Sequence, residues 1–241
     1  MPKFLPSKAM IFAAGLGTRM RPLTDFAPKA LVSVAGKTLL DHTLDRFAAI
    51  GVETAIVNVH HCAEQIESHL TGRKAPRILI SDERDRLLDQ GGGIAKALPW
   101  LGSEPFFLAN TDAFWIEGPI DNLSSLVAAW QPEMMDVLLL VAATTRSVGI
   151  DSAGDFHMDA DGRLTRRAER EIAPFVYTGI GIIKPELFAG ETREVFPLAP
   201  FFYNAAQRGR LHGRRLDGFW FHVGTPEAIA EAERKLLAGV Q

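Results

Sequence analysis

The chain has 241 residues, with 26 basic against 29 acidic side chains for a net charge of −3, 47% hydrophobic and 23% charged residues, 21 glycines and one cysteine. These fractions exclude a disordered or fibrous chain, the single Cys62 excludes an intramolecular disulfide, and the near-neutral balance leaves no broad electrostatic footprint for nucleic acid. A chain this long buries roughly three quarters of the surface its unfolded form exposes, so a core needs neither disulfide nor structural zinc.

In chain order, the opening residues carry basic groups but no apolar stretch of signal-peptide length before Gly15, and the apolar runs at 9–14 and 137–143 are of strand length, far short of the roughly 20 residues of a membrane helix. The expectation is a cytoplasmic protein with no membrane partner. Residues 9–14 form a continuous apolar strand. A helix follows over 38–50, with Leu40, Leu44, Phe47 and Ala48 on one face. Then come a β-branched strand at 54–59, a helix at 62–70, a strand at 77–80, a helix at 92–101, a strand at 105–109, a helix at 122–130 and a strand at 136–143. Strands alternating with helices predict an α/β fold, a Rossmann-like doubly wound sheet, mostly parallel or mixed, covered on both faces. Ligands bind such sheets at the carboxyl ends of the strands. Around Asp161-Gly162, a hairpin of 155–159 with 163–166 predicts a small antiparallel insertion, after which 176–183 returns to the main sheet. The last element is a helix over 225–237, capped by Thr225 with Pro226 at its first position. No repeat or linker divides the chain, so one domain is expected over 1–241, with a regular half near 8–145 and a less regular half near 146–241.

The chemistry concentrates after the first strand, in Gly15-Leu16-Gly17-Thr18-Arg19-Met20-Arg21-Pro22-Leu23-Thr24 followed by Pro28-Lys29. A dinucleotide fingerprint needs a third glycine where Met20 stands, and a Walker A loop needs Gly-Lys-Ser/Thr where Thr18 and Arg19 stand. What remains is a loop whose backbone approaches phosphate oxygens, with Arg19 and Lys29 beside it, a cradle of triphosphate size.

This combined motif resembles the signature of the sugar nucleotidyltransferases, the nucleoside-diphosphate-sugar pyrophosphorylases, over almost the whole chain. Within them, Gly91-Gly92-Gly93-Ile94-Ala95-Lys96-Ala97-Leu98-Pro99 is most similar to the uridylyltransferases that act on N-acetylmuramate 1-phosphate in peptidoglycan recycling, with mannose-1-phosphate guanylyltransferases as near relatives. The resemblance implies a reaction of a sugar 1-phosphate with UTP or another nucleoside triphosphate, releasing pyrophosphate. It implies Arg19 and Lys29 as catalytic residues, the nucleotide held by Ala13, Ala14, Gly15, Gly17, Thr18 and Arg19, and its base by Gln90, Gly91 and Gly92. Asp112, after the strand at 105–109, matches the family's magnesium ligand. The second ligand position departs from the pattern: Trp220-Phe221-His222-Val223-Gly224-Thr225 carries histidine where relatives have aspartate. Imidazole suits softer ions than magnesium does, so manganese or cobalt enters the expectation beside magnesium. Sugar contacts fall to Asp155, Thr178 and Gly179, while Glu169 reads as a solvated position. A monomer or small homo-oligomer is expected. Two other classes fit less well. A non-catalytic nucleotide- or sugar-binding module does not need Arg19, Lys29 and Asp112 together, and a glycosyltransferase on a related fold normally carries Asp-x-Asp where this chain has Asn110-Thr111-Asp112. The run Asp82-Glu83-Arg84-Asp85-Arg86 reads as a solvated loop.

Overall fold

The computed structural model describes residues 4–150 and 152–237. Its strands are β1 (Lys8–Phe12), β2 (Ser33–Val34), β3 (Lys37–Thr38), β4 (Thr54–Val59), β5 (Arg77–Asp82), β6 (Phe106–Asn110), β7 (Ala113–Glu117), β8 (Val137–Ala143), β9 (Ser147–Val148), β10 (Phe156–Met158), β11 (Leu164–Arg166), β12 (Phe175–Ile183), β13 (Leu211–Arg215) and β14 (Gly218–His222). The α-helices are α1 (Leu39–Ala49), α2 (Ala63–Leu70), α3 (Asp89–Leu101), α4 (Asn122–Ala129), α5 (Ala199–Gln207) and α6 (Pro226–Leu237).

The main sheet runs β11-β10-β12-β6-β1-β4-β5, with β8 pairing β12 and β13. The half built from β6, β1, β4 and β5 is parallel, as the strand–helix alternation predicts. The returning strand β12 is antiparallel to both β6 and β8, which makes the sheet mixed. The Asp-Gly signal yields the β10–β11 hairpin, paired Phe156 to Arg166. Sequence periodicity gave no warning of a second sheet, β7-β14-β9.

The side-chain alternation of β1 explains why both sheet faces are covered. Ile11 joins Leu44, Phe47, Val57, Phe107 and Leu140 under α1, α2 and α4. Met10 faces the other way, into Ile56, Ile94, Phe106 and Phe196 under α3 and α5. A third cluster, with Met20, Leu39, Phe114, Phe221 and Val223, anchors the second sheet beside the loop after β1. α1 starts on Thr38, whose hydroxyl accepts the Asp41 amide at 3.0 Å, and α6 starts after Thr225, whose hydroxyl accepts the Ala228 amide at 3.3 Å. No helix among the described residues is long and apolar enough to cross a membrane.

Candidate active site

The carboxyl ends of four parallel strands converge on one edge. The loop 13–17 leaves β1, Asn58 stands near the end of β4, Glu83 follows β5, and Asn110 ends β6 just before Thr111 and Asp112. With Arg19, Lys29, Asp89 and Gln90 they line a cleft of about 620 Å³. A second cavity of about 450 Å³, lined by Asp155, Tyr177, Thr178, Gly179 and His222, shares Arg19, Asn110, Asp112 and Gly224 with the first. The loop after β1, Arg19, Asp112, His222 and the strand carrying Thr178 and Gly179 therefore meet at one place, although they span more than 200 positions of sequence.

The loop is held open from below. Gly17 has φ +64°, and a Cβ there would meet Thr24 Cγ2 at 2.9 Å; the Thr24 hydroxyl closes the turn by donating to the Gly17 carbonyl at 2.8 Å. Beside Gly15 no protein atom lies within 4 Å of a built Cβ, so the loop backbone borders open cleft. The amides of Gly15 and Leu16 have no partner among the described residues. Those of Ala13 and Ala14 differ: both donate to Asn58 Oδ1, at 2.8 and 3.3 Å. These two residues line the cleft, with their N–H groups engaged by the Asn58 side chain. Thr18 and Arg19 are exposed, and Arg19 has no acidic partner among the described residues.

A buried network lies beneath the loop. Asn58 Nδ2 donates to Glu83 Oε1 at 2.8 Å, and Glu83 Oε2 accepts the Leu88 amide at 3.1 Å. Burial pushes the Glu83 carboxyl up, against the lowering effect of these two bonds. Glu83 is 2% exposed, which corrects the reading of its charged run as solvated. One carboxyl thus ties the loop after β1 to the segment that opens α3.

The glycines of α3 divide in role. Gln90 faces the cleft, its Nε2 donating to Asn110 Oδ1 at 2.9 Å. Gly91 and Gly92, expected at the base, do not line the cleft; chain 194–196 lies against them. A Cβ on Gly91 would meet the Phe196 ring at 2.4 Å, and one on Gly92 would meet the Glu194 carbonyl oxygen at 2.2 Å. Their bare backbone is used for protein packing. Gly92→Ala is accordingly expected to destabilise the fold: alanine recovers about 1 kcal/mol of helix preference, but displacing a packed backbone costs about 1–3 kcal/mol. The net loss, up to about 2 kcal/mol by difference, is readable in urea unfolding.

Antiparallel pairing builds the cluster at the junction of the two cavities. β7 and β14 pair Ala113 with His222, and the Val223 amide donates to the Asp112 carbonyl at 2.8 Å, so Asp112 and His222 become neighbours. Lys29 Nζ lies 3.2 Å from Asp112 Oδ2, and His222 Nε2 lies 3.6 Å from the same oxygen. Burial would raise the Asp112 carboxyl, but His222 and Lys29 overcome it and hold the group well below the usual carboxylate range. The ring of His222 is placed by Trp220, stacked with centroids 5.8 Å apart, and by the Gly149 carbonyl, 3.3 Å from Nδ1. A carbonyl only accepts, so that contact assigns a proton to Nδ1. Asp112 Oδ2 and His222 Nε2 stand 3.6 Å apart with Lys29 Nζ 3.2 Å from the same oxygen, and with Nε2 unprotonated the imidazole offers a donor atom beside the carboxylate. This donor pair fits a divalent ion whose remaining positions are filled by water and phosphate oxygens. It does not form an all-protein cage: no group of three or more such donors occurs among the described residues.

At the second cavity, β12 changes register against β8 between Tyr177 and Gly181, a bulge that turns this segment toward the cavities. Asp155 Oδ2 accepts the Tyr177 amide at 2.8 Å. The Thr178 hydroxyl is buried and donates to the Leu140 carbonyl at 2.8 Å, so this residue offers the cavity its backbone. Gly179, φ +88°, lets Asn110 approach to where a Cβ would stand 2.7 Å from its own. The Tyr177 hydroxyl is buried without a partner among the described residues, and burial, reinforced by the Asp112 charge, raises its pKa and keeps it protonated. Glu169 is exposed, as its sequence context predicts.

Asn58, Glu83 and Asn110 escaped the sequence reading. A signal existed for Asn58, a polar residue inside the apolar run of β4, but none distinguished Glu83 from its charged neighbours.

A sequence profile described as the MobA-like NTP transferase domain matches residues 9–216. The chain is 50% identical to an N-acetylmuramate alpha-1-phosphate uridylyltransferase of Caulobacter vibrioides, over 96% of this chain and 97% of that protein. It is 35% identical to one of Neisseria meningitidis serogroup B, over 96% and 98%. In fold it is similar to a UDP-glucose pyrophosphorylase solved with UDP-glucose, with a TM-score of 0.80 at 15% identity over 97% of this chain and 99% of that one.

Proposed function

The chain belongs to the MobA-like NTP transferase family, and from that premise we propose that it joins N-acetylmuramate α-1-phosphate to UTP, releasing pyrophosphate and forming the UDP-sugar. The observation that carries this reading is the Lys29–Asp112–His222 cluster at the junction of a loop-lined cleft and a second cavity. That geometry suits two phosphorylated substrates meeting end to end.

An ionised oxygen of the sugar phosphate attacks the α-phosphorus in line; the new O–P bond forms as the bond to the β-phosphate oxygen breaks. No base is needed, so the protein's task is positioning and charge neutralisation. The free amides of Gly15 and Leu16 and the unpaired Arg19 hold the β and γ phosphates and then the departing pyrophosphate. Lys29, largely buried beside Asp112, balances charge at the α-phosphate. Gln90 faces the space for the base. Asp155, the backbone at 178–179 and the Tyr177 hydroxyl serve the sugar. Asp112 and His222 would hold a divalent ion, which when bound draws charge from the phosphate oxygens. With one hard oxygen and one imidazole from the protein, manganese or cobalt is accepted alongside magnesium. The reading places the enzyme with its substrates in the cytoplasm.

His222→Asp replaces the imidazole by a second carboxylate and is expected to raise the magnesium-over-manganese ratio of kcat/KM at least tenfold; an unchanged ratio refutes His222 as a metal donor. The function itself is tested by measuring pyrophosphate release over a panel of UTP, GTP, dTTP and CTP crossed with the 1-phosphates of N-acetylmuramate, mannose and glucose. Highest kcat/KM for UTP with N-acetylmuramate 1-phosphate is expected. Nucleotide binding without any pyrophosphate would mean a binding module instead.

A further inference from the structure

Beyond the two cavities lies a third of about 710 Å³, sharing Gln90, Asn110, Asp155 and Tyr177 with them and otherwise walled by Phe156 of β10, Arg166 of β11, residues 167–169 and α5. It contains a cation that the proposed chemistry does not use. Arg166 follows Leu164 by two residues on β11, so both side chains share the face toward α5; Leu164 enters the core, and the Arg166 guanidinium lies over the Tyr203 ring, 4.1 Å from its centroid. Arg166 is exposed, and its guanidinium takes part in no hydrogen bond or ion pair among the described residues. The neighbouring Arg167 is a contrast. Its Nε donates to the Gly154 carbonyl at 2.7 Å and its Nη1 to the carbonyls of Ala168, Glu169 and Glu171, each at 3.2 Å, which ties down the wall of the cavity. Asp155 is turned to the Tyr177 amide and Glu169 stands exposed at the rim, so neither neutralises Arg166.

A guanidinium stacked on an aromatic ring has its plane fixed and its in-plane N–H fork free, the arrangement that recognises a planar carboxylate in a bidentate manner. In that reading the phosphates of both substrates lie around Arg19, Lys29 and Asp112, none of which lines the third cavity. We propose that Arg166, held by Tyr203, is the specificity determinant for an acidic sugar substituent, binding the carboxylate that N-acetylmuramate carries on its lactyl ether and that an unsubstituted N-acetylglucosamine lacks. This subsite rests on the substrate reading above and deepens it: the enzyme selects a carboxylate-bearing sugar 1-phosphate at the end of the sugar remote from the reacting phosphate.

The test compares N-acetylmuramate 1-phosphate with its lactyl amide, a neutral analogue of the same shape, in the wild type, Arg166→Ala and Arg166→Lys, by pyrophosphate release. The wild type should prefer the acid by about 10–100-fold, mainly in KM. Arg166→Ala should erase that preference while leaving kcat within a few-fold, and Arg166→Lys should restore part of it. A residue that only packs on Tyr203 would weaken acid and amide alike, so an acid-to-amide ratio in Arg166→Ala equal to that of the wild type overturns the subsite while the substrate reading stands. A wild type that turns over neither compound but accepts another sugar 1-phosphate overturns both.

Discussion

Lys29→Ala is expected to lower kcat by about a thousandfold, close to 4 kcal/mol of transition-state stabilisation, while KM for UTP moves by no more than a few-fold and the thermal midpoint stays near that of the wild type. The reason for the split lies in placement. Lys29 Nζ sits 3.2 Å from Asp112 Oδ2 with its side chain only 14% exposed, next to the carboxylate that both cavities share. Charge there becomes most concentrated when the attacking and leaving oxygens are both partly bonded to the α-phosphorus, so its ammonium is worth more in the transition state than in the bound substrates. Lys29→Arg tests position against charge: the guanidinium keeps the charge but is larger and planar, and it should recover only a small part of the rate. Single-turnover pyrophosphate release measures the chemical step directly. A kcat for Lys29→Ala within tenfold of the wild type would remove Lys29 from the reaction.

How much of this could be read from the sequence follows the range over which each feature is specified. The β1 strand, the glycine loop behind it and the alternation through β8 are encoded in adjacent residues, through continuous apolar runs, periodic helix faces and capping residues, and the structure keeps them with boundary shifts of a few positions. Arg19, Lys29 and Asp112 owe their assignment to resemblance; nothing in their local pattern says that Lys29 and Asp112, 83 positions apart, touch. The neighbourhood of Asp112 and His222 depends on the β7–β14 pairing, and both strands are short aromatic runs with no period to reveal them. The same limit explains α5 and β13, which are defined by packing on β8 and β11. Gly91 and Gly92 mark the opposite failure. A glycine in a sequence announces that something approaches its backbone, but not whether that is a ligand or, as here, the chain at 194–196. Glu83 was hidden because charge in a charged run predicts exposure, whereas Asn58 and the Leu88 amide together satisfy a buried carboxyl.

Asp112→Asn is the second large effect, expected to lower kcat/KM by about a thousandfold or more and to raise the divalent-ion concentration needed for half-maximal rate by at least tenfold. The substitution keeps the shape of the side chain and one acceptor oxygen but removes the charge that the site is built around. In the native protein two cationic or proton-donating groups, His222 and Lys29, outweigh burial and hold the Asp112 carboxyl well below the usual carboxylate range, so it stays ionised through the whole working pH range. The wild-type pH–rate profile should therefore show no acidic limb from Asp112. The sign for stability follows from the same depression. Ionised Asp112 favours the folded state fully above its unfolded value, about 3.9, and that contribution is lost as pH falls through the lower folded value. In Asp112→Asn this part of the acid-side decline disappears, and with it the anion that balances Lys29 and a potential metal. Comparing the variant with His222→Asp separates the two donors: losing the carboxylate should abolish turnover with magnesium, manganese and cobalt alike, because imidazole and water alone leave no hard anionic oxygen from the protein, whereas His222→Asp keeps turnover and changes only which ion serves best. If Asp112→Asn retained kcat/KM within tenfold of the wild type at saturating magnesium, the cluster at the cavity junction would be structural, and the charge that the reaction develops would have to be met by Arg19 and Lys29 alone.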